Sequence, residues 1–322
     1  MPAPLVSIGL VTWNSATHLP GCLSSITRQK YTNFDLIVVD NASDDFSPDL
    51  VRQYSSDAKI FINTENTGFC HAHNQAIRAS KGAYYLALNP DAVLQADYLA
   101  AMVSTLEDRP EFGSAAGKLL RSTSEDNAAI LDGTGLFIDR QRRQYLRGYG
   151  EMDVGQYDQS GEVFGVDGAA PLYRRKMLED IQIGGQYFDE VFFAHKEDVD
   201  LAWRAQLLGW HCHYVPEAVA IHPRYFRPGQ KRDAITPAVR VHAVKNRYLL
   251  LKKNESLQGW RRDGIPIFWY DLNILAYICL FERSSLKAFS LLRQAWPRAT
   301  EWRREIWKRA RVDSNEMLKW FK

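Results

Sequence analysis

The sequence predicts an α/β fold: a mixed, mainly parallel sheet with flanking helices, continued by a C-terminal helical region. Three observations carry that expectation. Over the first hundred residues, apolar runs of strand length alternate with short helical segments, the rhythm of right-handed crossovers onto a parallel sheet. LIVVD, apolar until its closing Asp40, and YYLAL read as continuous apolar runs, as strands covered on both faces do. Beyond Pro228 the strand-like runs stop and long segments with helical spacing take over.

Each element follows in order. Val6–Thr12 is an apolar run of strand length, and a helix over Leu19–Arg28 leads to a strand over Phe34–Asp40. A short helix near Pro48–Tyr54 precedes the strand Lys59–Asn63. A helix over Ala72–Ala79 ends at Gly82, and Tyr84–Leu88 is the next strand. Asp97–Arg109 reads as a helix stopped before Pro110. From Gly113 the pattern loosens: strands are expected over Ser114–Leu120, Ile130–Ile138, Val163–Val166 and Ala169–Tyr173, between glycine-rich loops. Lys196–Leu208 is a helix closed by Gly209, followed by short strands over His211–Val215 and Val219–Ile221. Three helices complete the chain, over Ile235–Lys253, Pro266–Glu282 and Ser285–Arg311.

Hydrophobic residues make up 46% and charged residues 24%, the composition of an ordinary core-former. A net charge of +2 gives no electrostatic case for a nucleic-acid partner. The four cysteines are scattered without C-x-x-C spacing, so reduced thiols are expected. The N-terminal segment has no basic region or cleavage site, which makes the cytoplasm the expected compartment. No apolar run reaches the roughly 20 residues of a membrane-spanning helix; Ile274–Phe281 reads as a core or interfacial segment.

In an open parallel sheet, ligands bind beyond the carboxyl ends of the strands. Four such ends carry polar or acidic groups: Thr12 to Asn14, Asp40 to Asp45, Asn63 to Gly68, and Asn89 to Asp91. Neither G-x-G-x-x-G nor G-x-x-x-x-G-K-[ST] follows the first strand, which weakens the dinucleotide and P-loop readings. A diphosphate here would instead be bridged to carboxylate by a divalent cation. Asp91, at the end of a buried strand, suits that role. Glu197 and Asp198 open a helix, where spacing alone reads them as first-turn acids favoured by the peptide dipoles.

These segments together resemble the family 2 glycosyltransferases of the GT-A fold, particularly the bacterial rhamnosyltransferase-like members. The resemblance is carried by VSIGLVTWN (6–14), LIVVDNASDD (36–45), NTENTGFCHAHNQAI (63–77), YLALNPDAVL (85–94), GVDGAAPLYRR (165–175), FDEVFFAHKEDVDLAWRAQLLGW (188–210) and VPEAVAIHPR (215–224), and runs from about residue 5 to 250. It implies an inverting hexosyltransferase that moves a sugar, rhamnose among the candidates, from a dTDP- or UDP-sugar to a cell-surface polysaccharide or lipid-linked glycan. Thr12 and Asn14 would line the nucleotide pocket, Asp40 would bind the base, and Asn66, Gly68 and Asn74 would follow the ribose and diphosphate. Asn89-Pro90-Asp91 stands where the family has Asp-x-Asp, so binding of magnesium or manganese would lean on Asp91, with His222 as second contact. Asp198, with Glu197, occupies the position of the catalytic base. Asp167 and Gly168 would form part of the acceptor site, with Trp203 and Arg204 beside it. Residues 1–228 would be the catalytic domain (1–110 the nucleotide half, 111–228 the acceptor half) and 229–322 a helical extension.

Other readings rest on other residues. His71 with His73, and His211 with Cys212 and His213, look like ligand pairs, but no second pair stands at zinc-finger spacing. Residues 298–311 hold six basic and two acidic side chains, with Trp302, Ile306 and Ala310 on one helical stripe and Trp307 beside it. Such a helix suits an anionic bilayer, placing the protein at the inner face of the cell membrane through residues 285–322, or packs on the main domain with a solvated basic face. A non-catalytic nucleotide-sugar or glycan-binding module, or a sugar nucleotidyltransferase, are the rival functions. The latter would normally place a glycine-rich basic loop after the first strand, which is absent.

Overall fold

The computed structural model describes residues 2–121, 129–224 and 235–322. The expected domain boundary at residue 228 lies outside the described residues. Val6–Thr12 forms β1, which pairs in parallel with β2 (Phe34–Asp40) on one side, in a register that sets Thr12 opposite Asp40. The elements between and after them are α1 (Leu19–Thr27), α2 (Ser47–Tyr54), β3 (Lys59–Ile62), α3 (Gly68–Ala79), β4 (Tyr84–Leu88), β5 (Val93–Leu94), α4 (Tyr98–Asp108) and β6 (Phe112–Leu120). Then follow β7 (Leu131–Gly133), β8 (Leu136–Ile138), β9 (Gln144–Leu146), β10 (Gly161–Val163), β11 (Leu172–Arg174), α5 (Arg175–Ile181), α6 (Glu197–Leu207) and β12 (His211–Ile221). The C-terminal part is helical: α7 (Pro237–Asn254), α8 (Leu257–Phe281), α9 (Lys287–Arg309) and α10 (Ser314–Leu318).

The main sheet runs β10-β12-β6-β11-β4-β1-β2-β3. It is parallel at β1–β2, β1–β4, β2–β3 and β12–β6, and antiparallel where β11 slots between β4 and β6. Alternate residues of β2 feed two cores: Ile37 and Val39 pack with α3 and α6 on one face, Leu36 and Val38 with α1 and α4 on the other. That two-sided burial is why the strand reads as a continuous apolar run. Mixed, mostly parallel, with flanking helices and a helical C-terminus, the fold is the one expected.

Several boundaries differ from expectation, each for a local reason. The run Ile130–Ile138 is two strands, β7 and β8, broken at Gly135, whose φ of +107° ends the pleat. The two strands expected over His211–Ile221 are one, β12, with a register shift between Val215 and Val219 around Pro216. β10 covers Gly161–Val163 only, and β11 starts at Leu172. α8 begins at Leu257, not Pro266: the Ser256 side chain accepts from the Gly259 N–H as an N-cap, and the helix runs through the proline. α5, α10 and β9 were not expected; each has seven residues or fewer, too short for a periodic pattern. All four cysteines are free.

The C-terminal helices are tied to α6 by buried charge. Asp200 accepts from Arg204 Nε (3.0 Å), Lys253 Nζ (2.9 Å) and Asn254 Nδ2 (2.9 Å), and Lys253 also donates to Asp189 (2.7 Å). The tryptophan stripe of 298–311 packs against this network. Trp302 and Ile306 are buried, and Lys253 Nζ lies 4.3 Å from the Trp302 ring centre. Trp307 donates to the Lys253 carbonyl, and Arg311 pairs with Asp180. That face is therefore occupied by the main domain and is not the bilayer-facing surface that was one of its two expected uses. The apolar surface lies instead on α8.

Candidate active site

Because β1, β2 and β4 are adjacent and parallel, their carboxyl ends lie side by side. The Thr12 hydroxyl donates to Asp40 (2.7 Å), and the Ser43 N–H and hydroxyl donate to both Asp40 oxygens (2.9 and 2.6 Å). Asn14, in the left-handed region at φ +49°, donates its N–H to the Ser43 hydroxyl (2.9 Å) and accepts from the Asp44 N–H (2.8 Å). The loops after β1 and β2 are thus held as one unit around the Asp40 carboxylate, which is 1% exposed.

The loop after β3 joins them. The Asn41 amide donates to the Gly68 carbonyl (3.2 Å), and Asn41 Oδ1 accepts from Asn63 and Thr67 (2.9 and 3.0 Å). Asn66 accepts from the Gly68 N–H (2.9 Å), shaping the turn into α3. Gly68 has φ +81°, and a Cβ there would lie 2.5 Å from the Phe193 ring and 2.8 Å from the Phe193 carbonyl. Only glycine fits under that segment.

Asn74 has a different role from the one the resemblance implies. It is fully buried, and its Oδ1 accepts from the Tyr187 and Phe188 N–H groups (3.1 and 2.9 Å). Its amide donates to the Phe188 carbonyl and to Glu190 (2.8 and 3.0 Å). All four hydrogen-bonding positions are filled by the chain, so Asn74 clamps residues 187–190. Trp203 and Arg204 are likewise interior, each 1% exposed. Trp203 packs on Phe164 and Phe321, and Arg204 donates to Asp200 and to the Ile181 and Tyr187 carbonyls. With no surface to offer, they support α6 and do not line an acceptor pocket.

A chain of charged groups crosses from β4 to α6. The Asn89 N–H donates to the Ala169 carbonyl (2.8 Å), and Tyr98 anchors the same loop through the Ala170 carbonyl (2.6 Å). Past Pro90, Asp91 Oδ1 lies 3.4 Å from His222 Nε2, and His222 Nδ1 lies 2.9 Å from Asp132. Arg224 donates to Asp132 (2.8 Å) and pairs with Asp167. Burial opposes charge on His222, but its bonds to Asp132 and Asp91 outweigh that and lift its pKa to about 9. Burial likewise pushes Asp91 upward, and the His222 hydrogen bond and charge reverse the net shift to below the usual carboxylate range.

Asp167 delivers the chain to Glu197 and Asp198. A Cβ on Gly168 would lie 3.8 Å from Asp198 Oδ2 and 3.9 Å from Glu197 Oε1. Phe193, His195 and Lys196 all have positive φ (+65°, +73° and +72°), a concentration of backbone strain typical of functional loops. It swings the chain so that α6 starts at Glu197. Burial, then the charge of Asp167, raises the Asp198 carboxyl to about 6; burial, then Asp198, raises Glu197 to about 8. Glu197 Oε2 is buried without a hydrogen-bond partner. Asp198 itself is only half-buried and accepts from the Val199 N–H (2.8 Å). The pair is withdrawn from water and crowded by its own charges, the condition for a carboxylate with proton affinity near neutrality.

The structure thus brings Asp91, His222, Asp167, Gly168, Glu197 and Asp198 into one connected cluster. The cluster adjoins the Thr12, Asn14, Asp40, Asn66 and Gly68 edge through Asn89 and Phe193. Asp132 and Arg224 are members that the motif search did not single out; the cue for Asp132 is a lone acid inside the apolar run 130–138. The histidine pairs do not act together: His73 meets the Tyr85 hydroxyl (2.8 Å) and His71 faces Glu190, while His211 pairs with Glu162 and His213 is buried against Phe112. Among the described residues, no group of three or more His, Cys, Asp or Glu is placed to hold a metal by itself.

The family model of glycosyl transferase family 2 matches residues 7–182, more than half of the chain. The chain is 26% identical over 219 residues to the putative glycosyltransferase EpsH of Bacillus subtilis, covering 67% of this chain and 59% of EpsH. It is 27% identical over 306 residues to the N-acetylglucosaminyl-diphospho-decaprenol L-rhamnosyltransferase of Mycobacterium tuberculosis, covering 86% of this chain and 92% of that protein. The chain spans about half the length of several other curated relatives it matches. Among solved structures, the fold superposes on the mannosyltransferase PcManGT of Pyrobaculum calidifontis in complex with GDP-Man and Mn2+. The TM-score is 0.54 at 19% identity, over 91% of this chain and 75% of that one.

Proposed function

The chain belongs to glycosyl transferase family 2, and from that premise we propose that it is an inverting sugar transferase acting from a nucleoside-diphosphate sugar onto a lipid-linked or polysaccharide acceptor, with Asp198 as the base. The observation that carries the proposal is the Glu197–Asp198 pair. It is packed against Gly168, connected through Asp167, Arg224, Asp132 and His222 to Asp91, and raised in proton affinity by burial and then by the neighbouring carboxylates. A dTDP- or UDP-sugar is the expected donor. Rhamnose on a diphospho-lipid-linked sugar is favoured by the Mycobacterium tuberculosis relative, an N-acetylglucosaminyl-diphospho-decaprenol L-rhamnosyltransferase. Residues 1–228 are proposed as the catalytic unit, working at the inner face of the cell membrane.

In the proposed reaction, Asp198 takes the proton of the acceptor hydroxyl while that oxygen attacks the anomeric carbon. The bond to the diphosphate breaks on the opposite face and the nucleoside diphosphate leaves with the electron pair. The Asn14 and Asn66–Gly68 edge orients the nucleotide, with the buried Thr12 and Asp40 holding its loops in place from behind. Glu197, neutral near pH 7, spares Asp198 a second adjacent negative charge. A divalent cation fits the donor set: the Nδ1 of His222 is held by Asp132 and its Nε2 faces Asp91, the outer-shell arrangement of a metal-ligating histidine. Asp91 and His222 would hold it together with donor phosphates, where it would offset the charge of the leaving diphosphate.

Asp198→Asn tests the assignment. Transfer should fall by about 10²–10⁴-fold, with donor binding, read by thermal stabilisation across a panel of nucleotide sugars with and without manganese, nearly unchanged. Unchanged turnover would remove Asp198 from the reaction. Stabilisation by a donor without transfer in the parent chain would favour a binding module.

A further inference from the structure

α8 is 25 residues long, and its best 18-residue window has a mean hydropathy of 1.5. By length and composition it could cross a membrane, yet it contacts the rest of the chain along one stripe only: Gly259, Asp263, Ile267 and Ile278 are buried. Much of the rest is exposed and apolar. Ile265, Phe268, Trp269, Leu280 and Phe281 are 58–75% exposed, and the surface continues through Leu286, Leu291 and Trp296 of the following segment. Scattered surface apolar residues are ordinary, but a contiguous face of this extent is not.

Two facts identify what covers it. First, every exposed charged side chain between residues 256 and 299 is basic; the three acids there, Asp263, Asp271 and Glu282, are buried or half-buried. Arg261, Arg283, Lys287 and Arg293 are exposed and make no ion pair among the described residues. They flank a stretch, residues 264–281, whose only charge, Asp271, is paired with Arg247 (2.5 Å). At ~1.5 Å per residue that stretch is about 27 Å long. Tryptophans and cations around an apolar band suit the headgroup boundary of an anionic bilayer. Second, α8 is fixed to the domain by fully buried charge. Asp263 accepts from Arg140 and Arg142 (2.7 and 2.9 Å), and Asp271, inside the apolar stretch, pairs with Arg247 of α7, a bond that a membrane-crossing helix would have to abandon. The helix therefore lies along the membrane.

We propose that α8 and the first turns of α9 form an in-plane docking face for an anionic lipid bilayer. It differs from the 298–311 stripe, which the main domain covers. The face is coupled to the active site. Arg247 of α7 binds Asp271 of α8, while Asn246, the next residue, donates to the carbonyls of Phe192, Ala194 and His195 in the loop that leads to Asp198. A cavity of about 510 Å³ lies between α7 and the start of α9, lined by Val241, His242, Ser284, Lys287 and Leu291 among others, and His242 stacks on Phe193 (ring centres 5.0 Å apart). Docking through α8 would bring this opening to the bilayer, where an acceptor with a lipid tail resides. The inference extends the lipid-linked reading of the acceptor, but its readout does not require transfer.

The test uses the full chain and vesicles of phosphatidylcholine with and without phosphatidylglycerol. Co-sedimentation with the anionic vesicles is expected. Phe268→Ser with Trp269→Ser, both exposed, should lower partitioning at least about tenfold while the thermal transition stays intact. Arg283→Glu with Lys287→Glu should remove the preference for phosphatidylglycerol. Equal binding by the aromatic variant and the parent would overturn the proposal. So would absence of vesicle binding together with a concentration-dependent dimer, seen by sedimentation velocity, that the same variant dissolves; that outcome would make the face a contact between copies. Either result would leave the Asp198 test untouched.

Discussion

At the residue scale, the charge balance around Glu197 and Asp198 makes two pH predictions. Transfer should rise with pH through about 6, as Asp198 loses its proton and becomes able to act as base; a kcat/KM profile flat from pH 5 to 7 would argue against it. Glu197 has a folded pKa of about 8, above its ordinary 4.5. Its contribution to stability is then full below about 4.5 and lost as pH rises through 8. Glu197→Gln removes that loss, so its melting temperature relative to the parent should climb over this window. The climb corresponds to at most about 1.4 kcal/mol per pH unit; a constant offset would show that Glu197 is not raised. Asp132→Asn, which loosens His222 without touching Asp91, should weaken manganese affinity about 10–100-fold, read by titration of donor binding. The motifs made Asp91, Asp198 and His222 legible because each stands at a recognisable place in a short stretch. Asp132 and Arg224 were not, since they matter through side-chain contacts between distant positions (Arg224 to Asp167 spans 57, Asp132 to Arg224 spans 92) that a linear reading does not contain.

At the element scale, the parallel core was readable where burial is two-sided: β1, β2 and β4 have the expected bounds, because a strand between two helical layers is apolar over most of its length. Past β6, strands β7 to β11 have three residues each and lie among positive-φ glycines, so periodicity no longer marks them. Asn74, Trp203 and Arg204 show the same limit inside helices. Their motif positions are recognisable, but whether a side chain faces the cleft or the core depends on packing of α3 and α6. Gly68 is where element and site meet. Gly68→Ala would collide with the Phe193 ring and backbone at a φ of +81° and should cost about 1–3 kcal/mol of stability, with weaker donor stabilisation; an unshifted thermal transition would mean the 193–196 segment moves freely.

At the scale of the whole molecule, the net charge of +2 conceals an uneven surface. Local apolarity with exclusively basic neighbours occurs on α8, and the more basic 298–311 stretch is largely spent on holding the domain together. Composition alone left the second stretch open to membrane contact or to packing on the main domain; only the packing of Trp302 and Ile306 assigns it to the interior. Lys253→Met should destabilise the protein by about 3–5 kcal/mol, since it strips a buried cation from Asp189 and Asp200 together; chemical denaturation would measure it. The same triad changes how deletions are to be understood. Removing everything after residue 236 would take Lys253, Asn254 and Arg298 away from two carboxylates sealed beside α6, and water would have to enter to solvate them. Inactivity of such a shortened enzyme would report a collapsed α6, and mislocalisation would be its by-product rather than its cause.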